Sequence, residues 1–272
     1  MKKTRPLIIS FIAAFLGCAA MASCAESEDD RLIMVTDADF PPFEYFSEEG
    51  NIIGLDIEVA EAIAEKLSVS LEVESISFDR IVDEVENGKY DLGMAALTVN
   101  EERKAKVLFS DTYAKGVQSV IVRADSVYNK IEDFYTSFDD LGNPSVTKAG
   151  ITIGVQKNTT GDKYACDPPI KWGFGETNVK KYNTGEEAVQ ALSDGKITAV
   201  IIDNEPASAF VEKYNDLRIM DTPYADEDYA ICVNKSNYEL LGKINKALKE
   251  LKSEGKLDEI INKYLPEADE EE

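Results

Sequence analysis

The sequence predicts an α/β protein of two similar lobes, each a mostly parallel sheet flanked by helices, with a ligand cleft between the lobes. Three observations carry this expectation. Short apolar runs of strand character alternate with segments whose apolar residues recur at helical spacing. The alternation occurs twice along the chain. Each half also contains the same local phrase, in which a glycine stops a helix just before a buried strand.

In the first half, Leu32-Ile33-Met34-Val35 reads as a buried strand. Ile57, Ala60, Ile63, Ala64 and Leu67 then recur at helical spacing, with Asp56 placed to cap that helix. A strand at 71–74, a helix around 81–86 and a strand at 92–95 follow. The second half repeats the grammar with a strand at 151–155, a helix face of Ala188, Val189 and Leu192, and a strand at 199–202. The shared phrase is Asn87-Gly88-Lys89-Tyr90-Asp91 in one half and Ser193-Asp194-Gly195-Lys196-Ile197 in the other. Two helices, 238–251 and 256–264, close the chain around Gly255. Their Leu240, Leu241, Ile244, Leu248 and Leu251 form an apolar stripe that reads as core packing. The expected boundaries are 32–115 with 226–267 for the first lobe and 116–225 for the second. The crossovers 114–117 and 225–228 are then the hinge segments. A cleft between two lobes is a common place for a small ligand.

Composition excludes several functions. Of 272 residues, 29 are Lys or Arg and 52 are Asp or Glu, giving a formal charge of −23 with no His at all. Without His there is no Ser-His-Asp or Cys-His relay, no His metal ligand and no imidazole switch. So acidic a chain is also unsuited to binding nucleic acid through its phosphates. No metal or cofactor is expected, and no Gly-rich phosphate loop with Lys and Ser/Thr is present, so the chain is not itself an ATPase.

Residues 1–23 have the layout of a secretory signal peptide: Lys2, Lys3 and Arg5, then an apolar run from Leu7 to Phe15, then small residues. That run is too short for a permanent membrane span, which needs roughly 20 apolar residues. Cys18 and Cys24 each follow a small residue, in a pattern that resembles the lipobox of bacterial lipoproteins. Cys24 fits better, because Met21-Ala22-Ser23 precedes it and an acidic tether, 24–31, follows it. Residues 268–272 form an acidic tail. The expected location is periplasmic or cell-surface, with a lipid anchor at Cys24. Cys166 and Cys232 fall in different predicted lobes and read as two buried free thiols.

Four segments at strand ends or helix starts stand out. They are Thr36-Asp37-Ala38-Asp39-Phe40-Pro41-Pro42-Phe43-Glu44; Ala95 to Arg103, followed by Phe109-Ser110-Asp111-Thr112-Tyr113; Gly154 to Asp162; and Ala199-Val200-Ile201-Ile202-Asp203. In this order and spacing they resemble the polar amino acid binding proteins of ABC importers. These are type II periplasmic binding proteins, similar to histidine-, glutamine- and arginine-binding proteins. The resemblance runs from about Leu32 to Leu265.

It implies that Arg103 grips a ligand α-carboxylate, with the hydroxyl and N–H of Thr98 and the N–H of Thr160 completing the cage. A guanidinium fork matches a carboxylate in two parallel hydrogen bonds. Asp203 and the Ala96 carbonyl take the α-ammonium. Phe40 and Phe78 pack on the ligand side chain, and Asp37 and Gln156 meet its polar tip. Read singly, Arg103 is a surface helix cation and Asp203 a turn cap; the joint pattern is what singles them out.

The function implied is capture of a polar or basic L-amino acid by lobe closure, and delivery to a membrane permease served by a separate ATPase. Asp37 and the acidic body favour a basic or neutral side chain over Glu or Asp. The expected protein is a monomer whose membrane contact is its lipid anchor. The alternatives are an exported enzyme on the same fold, similar to cyclohexadienyl dehydratase and using Asp37, Glu44 or Asp203 as acid or base, and a ligand-sensing surface lipoprotein. Segment 128–148 is longer than the family's usual connection, and Ala95 and Ala96 stand where Ser or Gly is frequent.

Overall fold

The computed structural model describes residues 31–221 and 223–265. The leader, Cys18, Cys24, nearly all of the tether and the acidic tail lie outside them. The chain opens with β1 (Arg31–Thr36), followed by a small antiparallel sheet of β2 (Asp39–Phe40), β3 (Glu44–Phe46) and β4 (Ile52–Ile53). Next come α1 (Leu55–Leu67), β5 (Ser70–Ser75), α2 (Phe78–Glu86), β6 (Leu92–Gly93), α3 (Glu101–Lys104) and β7 (Val107–Phe109). A long strand, β8 (Ala114–Arg123), leads to the hairpin β9 (Tyr135–Phe138) and β10 (Pro144–Thr147). Then follow β11 (Ile153–Gln156), α4 (Thr160–Cys166), β12 (Val179–Tyr182), α5 (Gly185–Ser193), β13 (Ala199–Asp203), α6 (Asn204–Lys213) and β14 (Leu217–Ile219). The chain returns through β15 (Ala225–Tyr229) to β16 (Cys232–Asn234), α7 (Tyr238–Ser253) and α8 (Lys256–Tyr264).

Two main sheets result, with strand orders β5-β1-β6-β16-β7 and β12-β11-β13-β8-β14, β15 also pairing with β8. The pairings β1–β5, β1–β6, β11–β12 and β11–β13 are parallel, as the strand–helix alternation requires. The other half of each sheet is antiparallel, because β16 and β8 run against their neighbours. That mixture corrects the expectation of mostly parallel sheets. Its cause is the double crossing: a strand that enters a lobe from its partner meets the sheet from the opposite end.

Each lobe has its own core. In the first, Met34, Phe43, Leu55, Ile63 and Leu92 pack with Ile244, Leu248 and Leu251 of α7 and with Leu257 and Ile260 of α8. The C-terminal stripe is therefore core of the first lobe. In the second, alternation along β13 sends Ala199 and Ile201 to one side of the sheet and Val200 and Ile202 to the other, so both faces are buried. Gly88 and Gly195 end α2 and α5 with φ values of 74° and 70°, as the repeated phrase requires.

Two local expectations change. Asp56 does not cap α1, whose N-cap is Gly54; it lies inside the first turn, fully buried, and accepts hydrogen bonds from Ala96 N at 2.9 Å and Tyr113 Oη at 2.7 Å. Cys232 is buried and free, whereas Cys166, also free, is only half-buried. Segment 128–148 carries the β9–β10 hairpin, and its Tyr128, Phe134 and Tyr135 join the second core while Phe138 stays exposed. Tyr128 stacks on Phe134 at 4.6 Å, and Tyr135 stacks on Phe174 at 5.5 Å.

The lobes are joined where β8 leaves the first sheet and β15 returns. The two strands pair antiparallel, Ala114 opposite Tyr229 and Gln118 opposite Ala225. Both expected crossovers fall on this pair.

Candidate functional site

A narrow cleft lies between the lobes beside this strand pair. Its walls include Asp37, Phe40, Phe78, Ala96, Thr98, Arg103, Gln156, Thr160 and Asp203, so all nine residues singled out in the sequence come together in one place. Asp39, Glu44, Ala95 and Thr159 complete the lining.

Arg103 is positioned by a short helix whose N-cap, Asn100, accepts the Arg103 N–H through Oδ1 at 2.9 Å. The buried guanidinium donates to Thr98 O at 2.8 Å and, from across the cleft, to Asn158 O at 3.3 Å. Its carbon also lies 5.3 Å from the Phe78 ring centroid, a cation–π distance. Asn158 itself has φ 61°, a left-handed backbone that Asn tolerates better than most residues. Thr98 and Thr160 face one another, their hydroxyl oxygens 3.4 Å apart.

Ala96 also adopts a positive φ, 42°, and its N–H is held by the Asp56 carboxylate. Burial raises Asp56 to about 6, although the Ala96 and Tyr113 hydrogen bonds oppose that rise.

The remaining carboxyls make the cleft strongly acidic. Asp37 accepts from Phe78 N at 3.1 Å and Gln156 Nε2 at 3.0 Å, both through Oδ2. Burial, and then the charge of Asp39, raises it to about 6. Glu44 is fully buried, and desolvation followed by repulsion from Asp56 and Asp37 pushes its carboxyl well above the ordinary range. Its Oε2 has no hydrogen-bond partner among the described residues. Asp203 accepts from the Tyr229 hydroxyl and from Gln118 Nε2, the latter at 2.8 Å, and its side chain caps nothing. Burial and then Glu227 raise it to about 8.

Sequence reasoning finds Glu44 only under the enzyme alternative. It misses Asp39, Ala95 and Thr159 as lining residues, and Gln118, Glu227 and Tyr229 behind Asp203. Glu44 sits in a signalled segment, next to Phe43, so it was within reach. Gln118 and Tyr229 have no local signature, because strand register alone brings them to Asp203.

Two α/β lobes on a paired hinge, with a polar cleft between them, define a two-lobed binding protein. The chain belongs to the bacterial extracellular solute-binding proteins of family 3, whose model matches residues 32–267. It is similar to the arginine-binding extracellular protein ArtP of Bacillus subtilis (strain 168), with 29% identity over 270 residues, 97% of this chain and 98% of the relative. Among solved structures, an ancestral arginine-binding protein bound to glutamine superposes with TM-score 0.75 at 35% identity, covering 88% of this chain and 99% of that one. The ancestral amino acid-binding protein AncCDT-1, a precursor of cyclohexadienyl dehydratase, superposes with TM-score 0.74 at 28% identity, covering 87% and 96%. A solute-binding role outside the cytoplasm follows from this family.

Proposed function

We propose that the chain is the extracytoplasmic receptor of an amino acid ABC importer and that its cleft takes a polar, preferentially basic, L-amino acid. The observation that carries this reading is the placement of one buried cation, Arg103, and several carboxyls on the walls of a single cleft. A zwitterion needs both signs at short separation. Arg103, with Thr98 and Thr160, takes the α-carboxylate, and Asp203 with the Ala96 carbonyl takes the α-ammonium. Phe40 and Phe78 flank the side chain, which extends toward Asp37 and Gln156.

Asp37, Asp39 and Glu44 favour a cationic tip. Asp37 is held toward its neutral form by burial and then by Asp39, and Glu44 by burial and then by Asp56 and Asp37; a bound guanidinium or ammonium relieves both. The names of the relatives, which include arginine- and glutamine-binding proteins, support the same ligand class.

Closure supplies the capture step. The hydrogen bonds Asp37–Gln156 and Arg103–Asn158, and the Thr98–Thr160 approach, all cross between lobes. A ligand that touches both walls favours the closed arrangement by its differential affinity for it. A membrane permease with a separate ATPase then receives the ligand. Anchoring through Cys24 is part of this reading, and globomycin-sensitive processing tests it.

The test of the function is thermal unfolding of the protein against the twenty amino acids and ornithine. A ligand at 100 times its dissociation constant adds roughly 2.7 kcal/mol. Stabilisation by L-arginine or another basic or polar amino acid, lost in Arg103→Ala and Asp203→Ala, is the expected result. No stabilisation by any of them, together with turnover of prephenate or arogenate, overturns it in favour of an enzyme.

A further inference from the structure

Behind Asp203 lies a second buried carboxylate outside the cleft-lining set. Glu227 occupies the middle of β15, in the acidic run Asp226-Glu227-Asp228, and is only 5% exposed although both neighbours are exposed. Strand register accounts for its position. Gln118 of β8 stands opposite Asp203 of β13 on one side and opposite Ala225 of β15 on the other, two residues from Glu227. The Gln118 amide nitrogen donates to Asp203 Oδ2 at 2.8 Å and to Glu227 Oε2 at 2.9 Å, so one neutral group spans two acids. The second carboxylate oxygen, Glu227 Oε1, and the amide oxygen of the bridging residue, Gln118 Oε1, are buried with no hydrogen-bond partner among the described residues.

The surroundings add little positive charge. Tyr229, also on β15, donates to the free side of Asp203, and Tyr164 faces Glu227 from α4. Glu205 faces Asp203 from α6, and Glu44 faces it from the other lobe. Arg103, from the first lobe, is the cation that faces both Glu227 and Asp203. Its guanidinium is already committed to two carbonyls.

We propose that Glu227 is a positioning residue for the ligand's ammonium: through Gln118 it holds Asp203 at the cleft wall, and its charge ties occupation of the ammonium site to release of a proton. This rests on the reading of the cleft as an amino-acid site. Before ligand arrives, burial and Glu227 keep Asp203 protonated up to about pH 8. When the ammonium docks, the Asp203 O–H bond breaks, the proton passes to solvent, and the new carboxylate accepts a ligand N–H. Because Asp203, Gln118 and Glu227 belong to one sheet, the coupling does not wait for the lobes to close. Asp37 and Asp56 titrate near 6, below the window in which Asp203 responds. Glu44, raised well above the ordinary range, gives up its proton to a cationic side chain in wild type and Glu227 variants alike, so the Glu227 effect is read as the difference between them.

The experiment is calorimetric titration of the purified protein with L-arginine between about pH 6.5 and 8, each point in two buffers of different ionisation heat. The wild type releases protons on binding near neutrality, and its affinity rises with pH by up to about tenfold per unit. Glu227→Gln keeps an acceptor for Gln118 but removes the charge, and it lowers both the slope and the proton count, leaving the part that burial alone supplies. A merely structural role lowers the melting temperature and leaves the proton count alone. Glu227→Ser, which leaves room for water, carries the same expectation should the first variant fail to fold. Wild-type binding without proton release, or a Glu227 variant with the wild-type slope, overturns this proposal alone. Failure of the wild type to bind any amino acid overturns it together with the reading beneath it.

Discussion

The Asp37 carboxylate accepts a hydrogen bond from the Gln156 amide at 3.0 Å, joining the end of β1 in one lobe to the end of β11 in the other. The same oxygen takes the Phe78 N–H at 3.1 Å, so the carboxylate is fixed against the start of α2 while it faces the cleft. Asp37→Asn removes the charge and retains an acceptor oxygen. Affinity for L-arginine is expected to fall about ten- to hundredfold, the range of a hydrogen bond to a charged group, while affinity for L-glutamine stays within a few fold. Calorimetry with both amino acids checks this, and equal losses for the two refute Asp37 as the reader of the side chain.

Arg103→Lys is expected to abolish measurable binding although it preserves the charge. The guanidinium reaches Thr98 O and Asn158 O and lies over Phe78 at once, and an ammonium is a point donor without that planar fork. Affinity should fall more than about hundredfold for every amino acid, whatever its side chain. A variant that loses only basic ligands shows that Arg103 does not hold the common α-carboxylate.

Much of this arrangement is legible in the sequence, and what escapes does so for identifiable reasons. The nine cleft residues stand at strand ends or helix starts, where local pattern and spacing carry information. Asp56 illustrates the limit: its position just before Ile57, the first residue at helical spacing, predicts a cap, but the helix starts at Leu55 and burial beneath Ala96 gives Asp56 different partners. Glu227 is hidden for a stronger reason. The sequence marks its segment only as a crossover, and it is the pairing of β15 with β8 that turns its side chain inward beside Gln118. The half-parallel sheets escape likewise, because strand direction depends on a long-range return of the chain.

The unliganded protein is expected to lose stability as pH rises from about 4 to 8. Asp37 and Asp56 are raised from 3.8 to about 6 in the folded state, and Asp203 from 3.8 to about 8. Over that interval the folded state binds more protons than the unfolded one. The stability these groups contribute is therefore fully present below the unfolded value and lost as pH passes through the folded values. The slope is about 1.4 kcal/mol per pH unit for each group titrating differently in the two states. Urea midpoints at pH 5.5 and about 8 test the sign, and a higher midpoint at the alkaline end refutes it. Saturating L-arginine should flatten the trend, because it favours the ionised carboxyls.

Gly116→Ala is expected to damage the hinge and the ammonium site together. A Cβ at position 116 would stand 1.8 Å from Tyr229 Oη, and the Tyr229 hydroxyl is, with Gln118 Nε2, one of the two donors that hold Asp203. The ring is completely buried and packs edge-on against Phe43 at 5.4 Å, so it has nowhere to retreat. Overpacking of this kind costs about 1–3 kcal/mol. A lowered melting temperature with weaker L-arginine binding is the expected result. Tyr229→Leu within the Gly116→Ala background removes the hydroxyl together with the ring atoms that would stand at 2.1 and 2.5 Å, and should recover part of the stability without recovering affinity. Recovery of both shows that the hydroxyl is dispensable.

At the rim of the cleft, Lys157 of the second lobe pairs with Asp79 of the first at 3.0 Å, with side-chain exposures of 35% and 21%. Burial pushes Asp79 up, but its hydrogen bonds to Lys157 and Ser77 outweigh that and hold it below its usual range. The pair exists only while the lobes meet, so it acts as a latch on the closed form. Partly exposed ion pairs contribute up to about 1 kcal/mol, and Lys157→Ala should weaken L-arginine binding by no more than about fivefold. Because the latch forms after the ligand has entered, the loss should appear in the dissociation rate and leave association nearly unchanged. Added salt should speed dissociation from the wild type more than from the variant, since the interaction it screens is already missing there. Stopped-flow release of L-arginine at two ionic strengths measures both effects. A change confined to the association rate would mean that Lys157 steers the ligand in and does not fasten the lobes.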